Sequence, residues 1–305
     1  MKYYFAPMEG ITDSVYRRRH WEFFPGPDRY YTPFFSPTQS HSLTDKEKRE
    51  LVKTDELPME VIPQVLTKVA DDFLWFAQKC AELGYTEINL NAGCPSGTVT
   101  AKGKGAGMLR DTGELSRFLD GVFAKCPIPI SVKTRIGVED SEEWPVLLEL
   151  YNRYPIKELT VHPRVRKAFY AGTPDMDAFT YAVQNSKNPL CYNGDILSLE
   201  QASRIQKQFP NIDAVMIGRG LIAKPDMLCN QKADGKTLLN FYEALLSDYL
   251  EIFGGSRNAM FRLKEHWHYL LPQFPGCEKL GKRLQKTTDL EEYRTISQEI
   301  LLSNG

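Results

Sequence analysis

The 305-residue chain lacks any run of about eighteen apolar residues, which argues against a helix that crosses a bilayer, so no membrane partner is expected. Cysteine is scarce and scattered: Cys80, Cys94, Cys126, Cys191, Cys229 and Cys277 form no C-x-x-C pair. Neither a disulfide framework nor a zinc site is therefore expected, and reduced thiols point to a cytoplasmic protein. Charge of one sign is missing as well, because 38 Lys and Arg face 39 Asp and Glu for a formal charge of −1. A nucleic-acid partner would have to be held by a local patch. The start, Met1-Lys2-Tyr3-Tyr4-Phe5, runs directly into a strand-like segment without the apolar core of a secretory signal, and none is expected. No internal repeat or low-complexity tract is present, and 42% apolar with 25% charged residues excludes disorder and collagen-like repeats.

What is present is an alternation. Eight short apolar runs, Tyr3–Pro7, Tyr30–Phe35, Met59–Val65, Glu87–Leu90, Ile128–Val132, Glu158–Val161, Pro189–Tyr192 and Ala214–Ile217, are rich in β-branched and aromatic residues. Their spacing of roughly 25–35 residues leaves room for one crossover helix each, so parallel pairing follows. Helical patterns fill the gaps. Phe73, Phe76, Ala77, Cys80 and Leu83 follow Asp71-Asp72, which can cap and complement a helix N-terminus, and stop at Gly84. Leu115, Phe118, Leu119, Val122 and Phe123 follow the capping-box-like Asp111-Thr112-Gly113-Glu114, and Ser198-Leu199-Glu200-Gln201 opens another helix. The pattern predicts an α/β fold, a (β/α)8 TIM barrel over residues 1–235. An open doubly wound sheet ranks lower, since G-x-G-x-x-G is absent after the first run. A polar connection, Ser36–Glu56, predicts a surface helix at Lys46–Lys53. From Lys236 the strand pattern ends, and helical stretches at Leu238–Tyr249, Asn258–Leu271, Leu280–Lys286 and Leu290–Leu302 predict a small all-helical domain over 236–305. Within it Arg257, Arg262, Lys264, Lys279, Lys282, Arg283 and Lys286 outnumber Glu265 and Glu278, interleaved with Trp267, Tyr269 and Phe274.

Barrel chemistry sits where strands end, so the residues there carry the functional reading. Asn193-Gly194-Asp195 and Gly218-Arg219-Gly220 follow the seventh and eighth runs, where many barrels bind phosphate through backbone N–H groups; either could also be a plain tight turn. Lys133 should point into the barrel mouth, as a Schiff-base nucleophile, as a fixed positive charge, or with its head in water. Cys80 and Cys126 read as small hydrophobes. Cys94 differs, because the turn Gly93-Cys94-Pro95 presents it directly past a strand, and a thiol of ordinary acidity is protonated at neutral pH and can donate a proton.

Together these segments resemble the tRNA-dihydrouridine synthase family. The resemblance rests on Ala6-Pro7-Met8-Glu9-Gly10-Ile11-Thr12-Asp13, Pro63-Gln64, Asn89-Leu90-Asn91-Ala92-Gly93-Cys94-Pro95-Ser96 and Ser131-Val132-Lys133-Thr134-Arg135. It continues through His162 with Arg164, Tyr192–Ile196, Ala214–Gly220 and Phe274-Pro275-Gly276, in one order along nearly the whole chain. It implies NADPH-dependent, FMN-mediated reduction of the C5=C6 bond of a specific uridine in tRNA to dihydrouridine. Tightly but non-covalently bound FMN would be lined by Pro7, Met8 and Glu9, hydrogen-bonded by Gln64 and Lys133, and held at its phosphate by His162, Asn193, Gly194, Asp195, Gly218 and Arg219. Asn91 and Arg135 would face the uracil and Cys94 would donate the proton. Arg164, Arg166 and Lys167 would lie nearer the pocket, and Lys282, Arg283 and Lys286 would grip RNA phosphates. A monomer is expected. The sequence departs from the resemblance at Glu9, at Pro163 after the histidine, and in the loop Val99–Gly107 with Lys102 and Lys104. Rival readings are a Schiff-base aldolase acting through Lys133 and a non-catalytic RNA-binding barrel.

Overall fold

A computed structural model describes residues 1–51 and 59–303. Its strands are β1 (Lys2–Phe5), β2 (Arg29–Phe35), β3 (Glu60–Val65), β4 (Ile88–Ala92), β5 (Ile130–Arg135), β6 (Leu159–His162), β7 (Leu190–Tyr192) and β8 (Ala214–Ile217). They pair in sequence order, all parallel, and β1 closes on β8 to complete a barrel. Each expected run supplies one strand. The intervening helices are α1 (Ser14–Phe23), α2 (Asp45–Glu50), α3 (Ala70–Glu82), α4 (Gly97–Thr100), α5 (Thr112–Lys125), α6 (Trp144–Tyr151), α7 (Met176–Asn185), α8 (Leu199–Gln208) and α9 (Arg219–Ala223). The C-terminal region is helical, with α10 (Gly235–Phe253), α11 (Ser256–Leu270), α12 (Glu278–Lys286) and α13 (Leu290–Leu302). Of the surface helix expected at Lys46–Lys53, residues 46–50 lie in α2, while Val52 and Lys53 fall outside the described residues.

The chain divides into two compact units. The first comprises Met1–Pro7, Asp28–Asp195 and Ala202–Ile217 and contains the whole barrel; the second comprises Met8–Pro27, Ile196–Gln201 and Gly218–Gly305. In the first, strand periodicity sends alternate side chains inward. Tyr4, Ala6, Tyr31, Ile62, Cys191, Ala214 and Met216 form a buried cluster inside the barrel. Near the strand starts a polar group closes the interior: Tyr4 Oη donates to Glu158 Oε2 at 2.9 Å and the Arg29 guanidinium lies 5.3 Å from the Tyr4 ring centre. Outward-facing Val65, Leu90, Val132 and Val161 are fully buried, and the apolar faces of α3 and α5 are buried with them, Phe73 meeting Phe118 edge-on at 5.9 Å. Each such buried side chain contributes about 1.5–3 kcal/mol.

Helix starts follow simple capping chemistry. Asp13, Asp111, Asp175, Asp234 and Asp289 each accept a backbone N–H in the first turn of the following helix. The start of α3 corrects the expected cap: Val69 occupies the N-cap position without a side-chain bond. Asp71 and Asp72 lie in the first turn, and Asp72 is paired with His41 at 3.0 Å and accepts from Thr67 Oγ1. In the second unit, α1 is bound to α10 by Arg18 and Arg19, both on Asp248, and by Tyr249 Oη donating to Asp13 at 2.8 Å. Tyr16, His20 and Phe24 of this segment pack with Phe241 and His266. Helix α1 has an interrupted, arginine-rich face and has no counterpart among the helices expected from sequence.

Candidate active site

The register of β3 to β6 lines up a polar set at the C-terminal mouth of the barrel. Gln64 pairs with Asn89, Asn91 with Lys133, and Arg135 with His162. The amides form one chain of hydrogen bonds. Asn91 Nδ2 donates to Gln64 Oε1 at 2.8 Å, Gln64 Nε2 donates to Asn89 Oδ1 at 2.8 Å, and Asn89 Nδ2 donates to Ser131 Oγ at 2.9 Å. All four residues are buried, so these partners offset the cost of placing amides inside the barrel. Asn91 also shapes the turn beyond β4, since its Oδ1 accepts from Gly93 N at 3.1 Å and Cys94 N at 2.9 Å. Cys94 is partly exposed and forms no disulfide. Its carbonyl accepts from Ala106 N at 3.0 Å. At Gly105, with φ +56°, an added Cβ would stand 2.9 Å from the Cys94 carbonyl oxygen, so a glycine is required for the loop to close on the cysteine.

Cations concentrate around this turn. Among the described residues Lys133 has neither a hydrogen-bond acceptor nor a carboxylate. Burial, with the nearby Arg135 charge second, pulls its ammonium down to about 8. Arg135 is 1% exposed and donates to the carbonyls of Gly93 and Val165, each at 3.0 Å. Burial pulls its guanidinium down to about 10, still a cation at neutral pH. Over it lies Tyr170, 54% exposed, whose ring centre is 5.5 Å from the Arg135 guanidinium carbon and 6.1 Å from the His162 ring. Tyr170 is absent from the residues expected at the site; an aromatic in a loop has no periodicity to betray it, and the positive φ of its neighbour Phe169 is visible only in the structure.

Arg164 uses its donors within the fold. It forks onto Asp195, with NH1 3.0 Å from Oδ1 and NH2 on Oδ2, and it also donates to Ala171 O at 3.3 Å and Gly172 O at 2.6 Å. Its NH1 is 3.1 Å from His162 Nε2. A guanidinium only donates, so Nε2 is the acceptor and the ring proton of a neutral His162 is on Nδ1. The clamp joins the loop after β6 to the turn after β7, where Asn193 Nδ2 donates to Met216 O at 2.8 Å and Gly194 is buried. Arg166 donates to Thr100 Oγ1 at 3.1 Å and lies against the Phe169 ring.

The first unit thus brings together Gln64, Asn91, Cys94, Lys133, Arg135, His162, Arg164, Asn193, Gly194 and Asp195, with Pro7 ending its first segment. Met8, Glu9, Gly218, Arg219, Lys282, Arg283 and Lys286 belong to the second unit. There Thr12 Oγ1 holds Met8 N at 2.8 Å, Glu9 is exposed, and Gly218 is the N-cap of α9. In the basic tail Arg262 donates to Gly10 O, Lys264 to Thr287 O, and Arg283 to Glu292 at 3.0 Å. Lys279, Lys282, Arg283 and Lys286 remain exposed along one face of α12.

An unpaired ammonium and a buried guanidinium beside an amide chain form a mouth that fits a hydrogen-bonding ring system able to take up negative charge, as a flavin does on reduction. The fold defines the class as a (β/α)8 barrel with this polar set at its C-terminal mouth. Residues 4–299 match the family model of dihydrouridine synthase (Dus). The chain belongs to the dihydrouridine synthase family of flavin-dependent oxidoreductases. It is 26% identical over 305 residues to the probable tRNA-dihydrouridine synthase 1 of Synechocystis, covering 95% of this chain and 84% of the relative. It is likewise 26% identical over 308 residues to the probable tRNA-dihydrouridine synthase 2 of Bacillus subtilis, covering 95% and 91%. Among solved structures, morphinone reductase superposes with a TM-score of 0.52 at 13% identity, covering 77% of this chain and 89% of that one. The old yellow enzyme of Trypanosoma cruzi superposes with a TM-score of 0.54 at 10% identity, covering 74% and 86%. Those likenesses concern the fold. Among the described residues no helix is long and apolar enough to cross a membrane.

Proposed function

We propose that this protein is an NADPH-dependent tRNA-dihydrouridine synthase that uses non-covalently bound FMN to reduce the C5=C6 bond of a specific uridine, acting as a cytoplasmic monomer. The observation that carries the reading is the Cys94 turn, pinned by Asn91 beside the unpaired Lys133 and the buried Arg135. Gln64 and Lys133 would hold the flavin ring with Pro7 beside it, and His162, Asn193, Gly194 and Asp195 would take its phosphate; for Met8, Glu9, Gly218 and Arg219 a cofactor role rests on the family resemblance alone. When bound, the flavin supplies the hydride that C6 receives. The protein's own part is to hold a proton at Cys94 Sγ for C5, to offer Arg135 and Asn91 to the uracil carbonyls, and to present Tyr170 as a ring against which the extruded base stacks. Extrusion costs a few kcal/mol and is least for a loop nucleotide. Arg164 would act through His162 and Asp195, and Arg166 through the loop beside the pocket. Residues 1–235 would be the catalytic part, and 236–305 the RNA-binding part, gripping phosphates through Lys282, Arg283 and Lys286.

Cys94→Ala tests this reading. The flavin should stay bound and NADPH should still reduce it, since neither requires the thiol. Transfer to tRNA, followed by stopped-flow absorbance of the flavin band, should slow roughly 10²–10⁴-fold, the usual contribution of a positioned general acid. Oxidation by tRNA at the wild-type rate would remove Cys94 from the mechanism.

A further inference from the structure

The loop that seats Cys94 carries a second set of cations outside the barrel mouth. Lys68 follows β3, Lys102 and Lys104 follow α4, Arg110 ends the 3-10 turn Gly105–Arg110, and Arg117 lies on α5. Lys68, Lys102, Arg110 and Arg117 line one open cavity of about 660 Å³. Its acids are Asp111, whose Oδ1 caps α5 by accepting from Glu114 N at 2.9 Å, and Glu114. Among the described residues none of the four cationic side chains has a carboxylate or hydrogen-bond partner.

The lysines are also drawn together. Gly103 has φ +68°, and an added Cβ there would stand 3.2 Å from Lys68 Nζ, so the glycine lets the Lys68 ammonium lie over the loop between Lys102 and Lys104. Lys104 Nζ donates to Ser36 Oγ at 2.9 Å. Burial holds its ammonium below the ordinary lysine range, Asp72 opposes this, and the Lys102 and Lys68 charges add to it. Like charges gathered without a direct ion pair are a cost that a bound anion relieves. The same loop is tied to the reacting cysteine through Ala106 N and the Cys94 carbonyl.

We propose that Lys68, Lys102 and Lys104, with Arg110 and Arg117 at the rim, grip backbone phosphates of the RNA substrate on the loop that positions Cys94. This rests on the tRNA reading of the active site. The cations are spread over two loops and a helix, which matches spaced phosphates along a strand better than the single pyrophosphate of a dinucleotide.

The test uses the flavin-loaded enzyme, an unmodified tRNA transcript and NADPH. Binding is measured by fluorescence anisotropy across a salt series for wild type, Lys102→Glu and the triple variant Lys68→Gln/Lys102→Gln/Lys104→Gln. The slope of log affinity against log salt should shrink by about 0.7–0.9 for each phosphate no longer neutralised, and by about two for the triple variant. The rate of flavin reduction by NADPH should not change. Lys102 is exposed, so its single variant reports even where the triple one folds poorly. Unchanged affinity and slope in the variants, while the wild type binds tRNA, overturn the grip alone. A raised KM for NADPH with unchanged RNA affinity overturns it in favour of a dinucleotide site. A wild-type enzyme that binds no tRNA overturns it together with the functional reading.

Discussion

Lys133 is the residue on which charge and chemistry meet. Its ammonium, pulled down to about 8 by burial, is protonated at neutral pH and loses its proton just above. A bound ring edge that accepts a hydrogen bond favours the charged form, so FMN should bind the apoprotein more tightly at about pH 7 than at about pH 9.5, with the fall centred near or above 8. Lys133→Met keeps the stem and removes the charge; fluorescence titration should show affinity at least about tenfold weaker and no longer dependent on pH across that window. Wild-type affinity in Lys133→Met would sink the assignment. At this scale the sequence is informative wherever strand alternation fixes direction: Gln64, Asn91, Lys133 and Arg135 fall on the inward phase and meet at the mouth. It is silent on Tyr170 and on the use of Arg164 as a clamp for Asp195, because both depend on where irregular loops fold back.

Among the elements, α12 makes the sharpest claim. Lys279, Lys282, Arg283 and Lys286 recur at helical spacing, while Gly281 and Leu284 face inward. Replacing Lys282, Arg283 and Lys286 together by Ala should lower the salt slope of tRNA binding by about 0.7–0.9 for each phosphate released from the helix. Flavin reduction by NADPH should be unaltered, and an unchanged slope would leave α12 a solvated face. Arg283 already pairs with Glu292, so its share should be the smallest of the three. Strands and amphipathic helices are legible in the sequence because burial imposes a period on them. Helix α1 is not, because what stabilises it is remote: Arg18 and Arg19 reach Asp248, some 230 residues along the chain. The start of α3 is half legible: the two aspartates do complement its first turn, but only geometry shows Val69 in the capping position.

For the molecule as a whole, three buried groups make stability depend on pH below about 7. Burial lowers His20 and His266 to about 3, so both are neutral in the folded state and take up protons on unfolding. Their contribution is complete above about 6.5 and is lost as pH falls toward 3, on the order of 2 kcal/mol each by about pH 5. Glu158 runs the other way, because burial raises it to about 7, and its contribution is lost as pH rises from about 4.5 through 7. Between about pH 5 and 6.5 the two histidines outweigh the one carboxyl, so calorimetry should show melting temperature falling on acidification. The double variant His20→Gln/His266→Gln should abolish or reverse that fall and Glu158→Gln should steepen it; an unchanged profile in both would refute the assignment. A last consequence follows from setting the cations of the Lys68–Arg117 rim into a molecule whose formal charge is only −1. Beyond a Debye length of about 8 Å at physiological salt, an approaching polyanion meets almost no net field. Attraction begins only when a cationic face is already turned toward it, so capture should proceed at an ordinary docking rate of about 10⁵–10⁷ M⁻¹s⁻¹, and misoriented encounters should part rather than linger.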